Sequence, residues 1–133
     1  MLVWIGKNRA LFLRLWLPVI AWMGLIYLFS SMPGSKLPKV DIPNIDKIVH
    51  FLEYFIFSLL LMRALVNSTK SFNLTALIIL SIMITSLYGI SDEWHQSFVA
   101  GRMSDLYDYL TDSIGSITGA FLYMYMHVYE KIT

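Results

Sequence analysis

Residues 74–98 read LTALIILSIMITSLYGISDEWHQSF. Seventeen residues from Leu74 to Ile90 carry no charge, and then Asp92, Glu93, His95 and Gln96 crowd into a little over one helical turn. Such a run is either the core helix of a soluble domain or a membrane span, and the rest of the chain decides between them. Of 133 residues, 57% are hydrophobic and 14% charged, where a soluble domain carries about 25% charged residues. The solvent of this chain is therefore mostly lipid. Its length predicts a single domain over residues 1–133. With no cysteine there is neither a disulfide framework nor a thiolate metal site. A net charge of +1 without a basic stripe excludes a nucleic-acid partner and leaves membrane lipids as the first partner.

Outward from that stretch, the pattern predicts an all-α fold, a membrane bundle of four transmembrane helices. They are placed at about 11–29, 48–66, 74–92 and 108–129, since a span needs roughly 20 apolar residues. Arg14 sits near enough to the first span's start to snorkel, and Pro18 is a candidate kink. That first run is longer than a signal peptide's apolar core and lacks an A-x-A site, so it reads as a retained anchor. SSMPGSKLPKVDIPN, with Pro33, Pro38 and Pro43, is a loop, and Asn67 to Asn73 is a short polar turn. Lys7, Arg9, Arg14, Arg63, Lys70 and Lys131 fall on one side, Lys36, Lys39, Lys47 and Arg102 on the other. The bias predicts both termini in the cytoplasm, N-in/C-in.

This topology brings the start of the second helix, the end of the third and the start of the fourth to one membrane face. Seven of the nine acids lie there: Asp46, Glu53, Asp92, Glu93, Asp105, Asp108 and Asp112. Their registers are not random. Asp46, His50, Glu53 and Tyr54 share one helical face, as do Thr85, Tyr88, Asp92, His95 and Gln96. Asp105, Asp108, Asp112, Gly115 and Gly119 form a third stripe at steps of three or four. Charged groups at membrane depth cost roughly 2.5–3.5 kcal/mol each and face a bundle interior or a wet cavity. The stripes should therefore face one another around a polar pocket open to the outer leaflet. Gly115 and Gly119 should let the fourth helix approach a neighbour and close the pocket's floor.

Two kinds of chemistry fit such a pocket. Lys47 and Arg102 suit a phosphate or carboxylate, Arg102 by a two-point contact. His50 or His95, oriented by Glu53 or Asp92, suits general acid/base work on a lipid headgroup. Crowded carboxylates also need shared protons or a divalent metal, for which carboxylate, imidazole and water suit magnesium, manganese or zinc. No HExxH-type spacing marks a metal site, only HFLE and DEWH. The competing structural reading makes the stripes a hydrogen-bonding network that merely holds the bundle together. An ion pathway fits less well, because the stripes fade over Phe57 to Met62 and Phe121 to Met126.

DKIVHFLEYF, then YGISDEWHQSFVAGR, then an aspartate six residues beyond the arginine and a glycine seven further on, together resemble the VanZ-like family of small bacterial membrane proteins. Asp46, Lys47, His50, Phe51, Tyr54, Asp92, Glu93, Gln96, Phe98, Gly101, Arg102, Asp108, Gly115 and Gly119 carry the pattern, and FSSMPG fits its loop. One position departs from it: Asp112 stands where the pattern has asparagine. The resemblance implies a multi-pass protein of the bacterial cytoplasmic membrane serving the cell envelope. It also implies an effect on susceptibility to glycopeptides such as teicoplanin. The expected ligand is a lipid-linked or cell-wall component, or one related to glycopeptides. It would be held by Asp46, Lys47, His50, Tyr54, Asp92, Glu93, Gln96, Arg102, Asp108 and Asp112.

Overall fold

The computed structural model describes residues 2–37, 42–69 and 73–132, with side chains from Arg9 onward except that of Lys131. Lys39, Lys70 and the side chains of Lys7 and Lys131, used above for orientation, lie outside the described residues. The architecture is all-helical among the described residues: α1 Leu2–Ser30, α2 Ile45–Ser68, α3 Leu74–Gln96 and α4 Leu106–Ile132, with one 3-10 turn at Gly34–Lys36. Each helix is longer than the sequence expectation, because charged and polar ends continue the helix past the apolar run. α1 passes through Pro18 as one continuous helix.

Three helices are long and apolar enough to cross a membrane, with mean hydropathy 1.8 for Arg9–Ser30, 1.7 for Ile45–Ser68 and 2.0 for Leu74–Gln96. α4 is 27 residues long but spends its inner face on Asp108, Asp112, Ser116 and glycines, which lowers its mean hydropathy. Large apolar side chains point outward all round: Leu17 is 59% exposed, Ile20 61% and Leu87 61%. In water such a surface would aggregate; in lipid it is the solvated face.

α2 is the central helix. Its face carrying Phe57, Leu61, Ala64 and Leu65 packs with Leu15, Val19 and Ile26 of α1 and Leu77 of α3 in one core. Hydrogen bonds tie α1 down along its length. Trp22 Nε1 donates to the Glu53 carbonyl at 2.9 Å, Trp16 Nε1 to Ser68 Oγ at 3.0 Å, and Tyr88 Oη to the Met23 carbonyl at 2.8 Å. The closest helix pair is α2 with α4. Its cause is Gly115 and Gly119, where any Cβ would run into the Phe51 and Phe55 carbonyls. The expected close approach is thus made onto α2, directly below the acidic end of α4.

Both loops at that end close over each other. Gly101 adopts φ 75°, a left-handed conformation that favours glycine. Its carbonyl lies where a Cβ on Gly34 would stand, and the Gly34 amide donates to the Ala100 carbonyl at 3.0 Å. The α1–α2 loop is therefore docked on the α3–α4 loop, and Arg102 follows immediately from that junction.

Candidate functional site

The polar ends of α2, α3 and α4 surround a cavity of about 510 Å³ that also reaches Phe29 and Ser30 at the end of α1. Asp46, His50, Glu53, Asp92, Gln96, Arg102 and Asp108 line it. The helical registers are the reason: turns four residues apart on α2 present Asp46, His50 and then Tyr54 to the same side.

Four linked groups form the rim. Lys47 Nζ lies 2.7 Å from Asp105 Oδ2, 2.5 Å from Asp108 Oδ1 and 3.2 Å from Asp46 Oδ2. Asp105 stands just before α4, where its Oδ1 accepts the Tyr107 amide at 2.8 Å as an N-terminal cap. Its own amide donates to Glu93 Oε2 at 2.8 Å. The Lys47 ammonium holds the Asp105 carboxyl below the usual carboxylate range. Lys47 is thus saturated by carboxylates, and it joins α2 to α4 rather than standing open to an anion.

Arg102 is placed otherwise. Its Nε and Nη2 donate to Gln96 Oε1 at 3.1 and 2.5 Å, and Gln96 Nε2 donates to Asp92 Oδ2 at 3.1 Å. The guanidinium is half-buried, lines the cavity, and makes no ion pair among the described residues. Asp92 and Gln96 are buried; the arginine is aimed by an uncharged amide.

Behind the cavity wall, from which His50 alone of the three is presented, lies a buried cluster of His50, Glu93 and Asp112. His50 Nδ1 is 2.9 Å from Asp112 Oδ1 and 4.0 Å from Glu93 Oε1, and all three residues are buried. Three polar atoms there are enclosed without a hydrogen-bond partner: Glu93 Oε1, Asp112 Oδ2 and Tyr54 Oη. Asp112, the departure from the asparagine pattern, is fully buried and is the partner of His50. Neither Glu53 nor Asp92 orients that imidazole. Glu53 is half-buried on the cavity wall.

Most of the expected residues meet: Asp46, Lys47, His50, Glu53, Asp92, Glu93, Gln96, Arg102, Asp108 and Asp112 lie in one network or line one cavity. Tyr54 lies below them, fully buried. His95 does not join. Its Nε2 pairs with Ser31 Oγ at 2.9 Å and its ring stacks on Tyr27 at 4.8 Å, which ties α3 to α1. Sequence reasoning missed the buried hydroxyls deeper in the bundle, Ser58, Ser81 and Ser116. Single serines inside apolar runs carry no register of their own; their spacing from the acids, Asp112 to Ser116 and Thr85 to Ser81, was the available signal.

A family model described as VanZ/LLP1 matches residues 15–127. No curated protein and no solved structure matches the chain.

Proposed function

The chain belongs to the VanZ/LLP1 family, and from that premise we propose that its pocket receives an anionic headgroup of a membrane lipid or a lipid-linked cell-wall component. The protein is then a multi-pass protein of the bacterial cytoplasmic membrane, with α4 as its fourth span, both termini in the cytoplasm and the pocket facing outward. The observation that carries the reading is Arg102. Its guanidinium borders a cavity of about 510 Å³ and is oriented by the Gln96 carbonyl, so its charge is not consumed by a carboxylate. A planar fork held this way suits a phosphate or carboxylate oxygen pair. Sequestering such a component is the route by which the protein would alter teicoplanin susceptibility.

The test is lipid retention. Protein purified in mild detergent should keep anionic lipid visible by native mass spectrometry, and Arg102→Ala should lose it while remaining monodisperse. Equal retention of zwitterionic and anionic lipid, unchanged by Arg102→Ala, would overturn the reading.

A second reading, headgroup chemistry, is favoured by a separate observation: the buried His50–Asp112 pair at the cavity wall, 2.9 Å apart. A carboxylate on Nδ1 fixes the imidazole's tautomer and supports proton transfer at its other nitrogen. Release of free headgroup from envelope lipids by purified protein, abolished in His50→Gln, separates an enzyme from a binder.

A further inference from the structure

The buried cluster behind the pocket wall holds more carboxylates than its one basic group can balance. Glu93 and Asp112 are both at least nine-tenths buried, and the imidazole of His50 is the basic group between them. The ammonium of Lys47 is engaged by Asp46, Asp105 and Asp108, and the guanidinium of Arg102 by Gln96. Two carboxylates in a low-dielectric interior are costly unless a cation offsets both. One oxygen of each carboxylate also lacks a hydrogen bond. Glu93 Oε1 and Asp112 Oδ2 are enclosed without a hydrogen-bond partner, as is Tyr54 Oη. The Tyr54 ring edge and the Asp112 carboxylate both lie against Gly89, 3.4 and 3.2 Å from where its Cβ would stand. Buried polar atoms are almost always satisfied, so several orphans in one place point to a missing partner.

We propose that His50, Glu93 and Asp112 bind one divalent cation of the manganese–zinc class. The geometry fits. A cation about 2.1 Å from each donor needs donor atoms roughly 3–4 Å apart. His50 Nδ1 stands 2.9 Å from Asp112 Oδ1 and 4.0 Å from Glu93 Oε1, and the three donor atoms lie within 4.8 Å of one another. Neutral imidazole with two carboxylates sums to two negative charges, which a divalent ion cancels. One nitrogen among the donors favours manganese or zinc over calcium, which takes six to eight oxygens or so. The Glu93 carboxylate is already aimed, because its Oε2 is fixed by the Asp105 amide at 2.8 Å. Such outer bonds orient ligands in known metal sites. His50 is the donor that also lines the cavity, so the ion would sit behind the wall on which Arg102 stands. In that form His50 is a ligand, and the headgroup chemistry above becomes metal-assisted. The inference shares the pocket with the proposed function but does not need a lipid there.

The experiment is a metal titration of the full chain in detergent, with no lipid added. After chelation and desalting, the protein should take up one Mn²⁺ or Zn²⁺ per chain at micromolar free ion, measured by equilibrium dialysis and atomic emission. The Mn²⁺ form should show a nitrogen coupling in pulsed EPR, from His50. Asp112→Asn, which installs the asparagine of the resembling pattern, and Glu93→Gln should each weaken uptake at least tenfold. Glu130→Gln, at the opposite end of α4, should leave uptake unchanged. Absence of saturable uptake by the parent chain, absence of the nitrogen coupling, or uptake indifferent to Asp112→Asn would each overturn the site. Because the parent measurements need no variant, a misfolded variant does not obscure them. Failure here also leaves lipid retention by Arg102 untouched, so the two readings fail separately.

Discussion

Lys47 and Arg102 are both cations at the pocket, yet their surroundings predict opposite consequences of losing them. Lys47 sits among three carboxylates, and the side chain of Asp108 is only 10% exposed. Removing one partner of a buried pair costs about 3–5 kcal/mol, and the partial exposure of Lys47 brings its loss toward about 2–3. Lys47→Met should therefore lower the melting temperature in detergent clearly. Arg102→Ala removes charge-assisted bonds to one amide on the cavity wall, where water can replace them, and should cost about 1–2 kcal/mol, yet lose ligand and any effect on teicoplanin susceptibility. Arg102→Lys should stay as stable as the parent and recover function only partly, since an ammonium cannot make the two-point contact. If Arg102→Ala melts as low as Lys47→Met, the arginine is structural. Acid pH tests the same ion pair. Asp105 has its pKa lowered by Lys47, so its contribution is present above the usual value of 3.8 and is lost as pH falls through the lower folded value. Asp105→Asn should thus flatten the stability profile on that acid limb alone. Five acids flank Arg102 along the chain between Asp92 and Asp112, yet among the described residues it pairs with none of them. The bonds instead run between helices, from Lys47 on α2 to Asp105 and Asp108, and neighbours along the chain cannot reveal that.

At the scale of the elements, the α2–α4 contact decides whether the buried His50–Asp112 pair forms. Gly115 places the turn carrying Asp112 against α2, which is what brings Asp112 to His50. Gly115→Leu forces a side chain into the Phe51 carbonyl, a backbone obstacle that cannot rotate away. Overpacking of this kind costs about 1–3 kcal/mol or more, and separation of α4 would also open the His50–Asp112 bond. Gly24→Leu is the control, because nothing lies within 4 Å of a Cβ at Gly24. Thermal unfolding should show a marked loss for the first variant and none for the second; similar melting would mean that Gly115 does not face α2. The helices and their facing stripes were legible in the sequence, since period and charge spacing mark them directly. Glu93 was not legible as a member of the buried cluster, because it lies off the Tyr88–Asp92–His95 stripe. Its place depends on the Asp105 amide, presented by a loop that leaves no periodic trace. His95 illustrates the converse: it has the right register, but the end of α1 takes it.

For the whole molecule the open variable is which way the bundle faces, and the surface gives a physical basis for deciding it. Trp94 at 69% exposure, Phe98 at 72% and Tyr107 at 70% ring the outside of the pocket end. Aromatic side chains of this kind settle at the headgroup level of a membrane, and the proposed placement sets the pocket mouth at that level. The cations bias the orientation. Arg9 precedes the apolar run of α1, Arg14 lies near its start, and Arg63 lies near the far end of α2, away from the pocket. At the pocket end Lys47 is neutralised by its carboxylates, so it counts little as a free positive charge. The proposed orientation, with the arginine-bearing end in the cytoplasm and the pocket outside, is the one the positive-inside rule expects. A single cysteine at Met103, which is 85% exposed beside the cavity, should react in intact cells with a membrane-impermeant maleimide. A cysteine at Ser68, exposed at the opposite end of α2, should react only after the membrane is permeabilised. The native chain has no cysteine, so no background labelling competes. The reverse pattern would turn the pocket toward the cytoplasm. Envelope ligands outside the cell would then be out of its reach, and the headgroup would have to come from the inner leaflet.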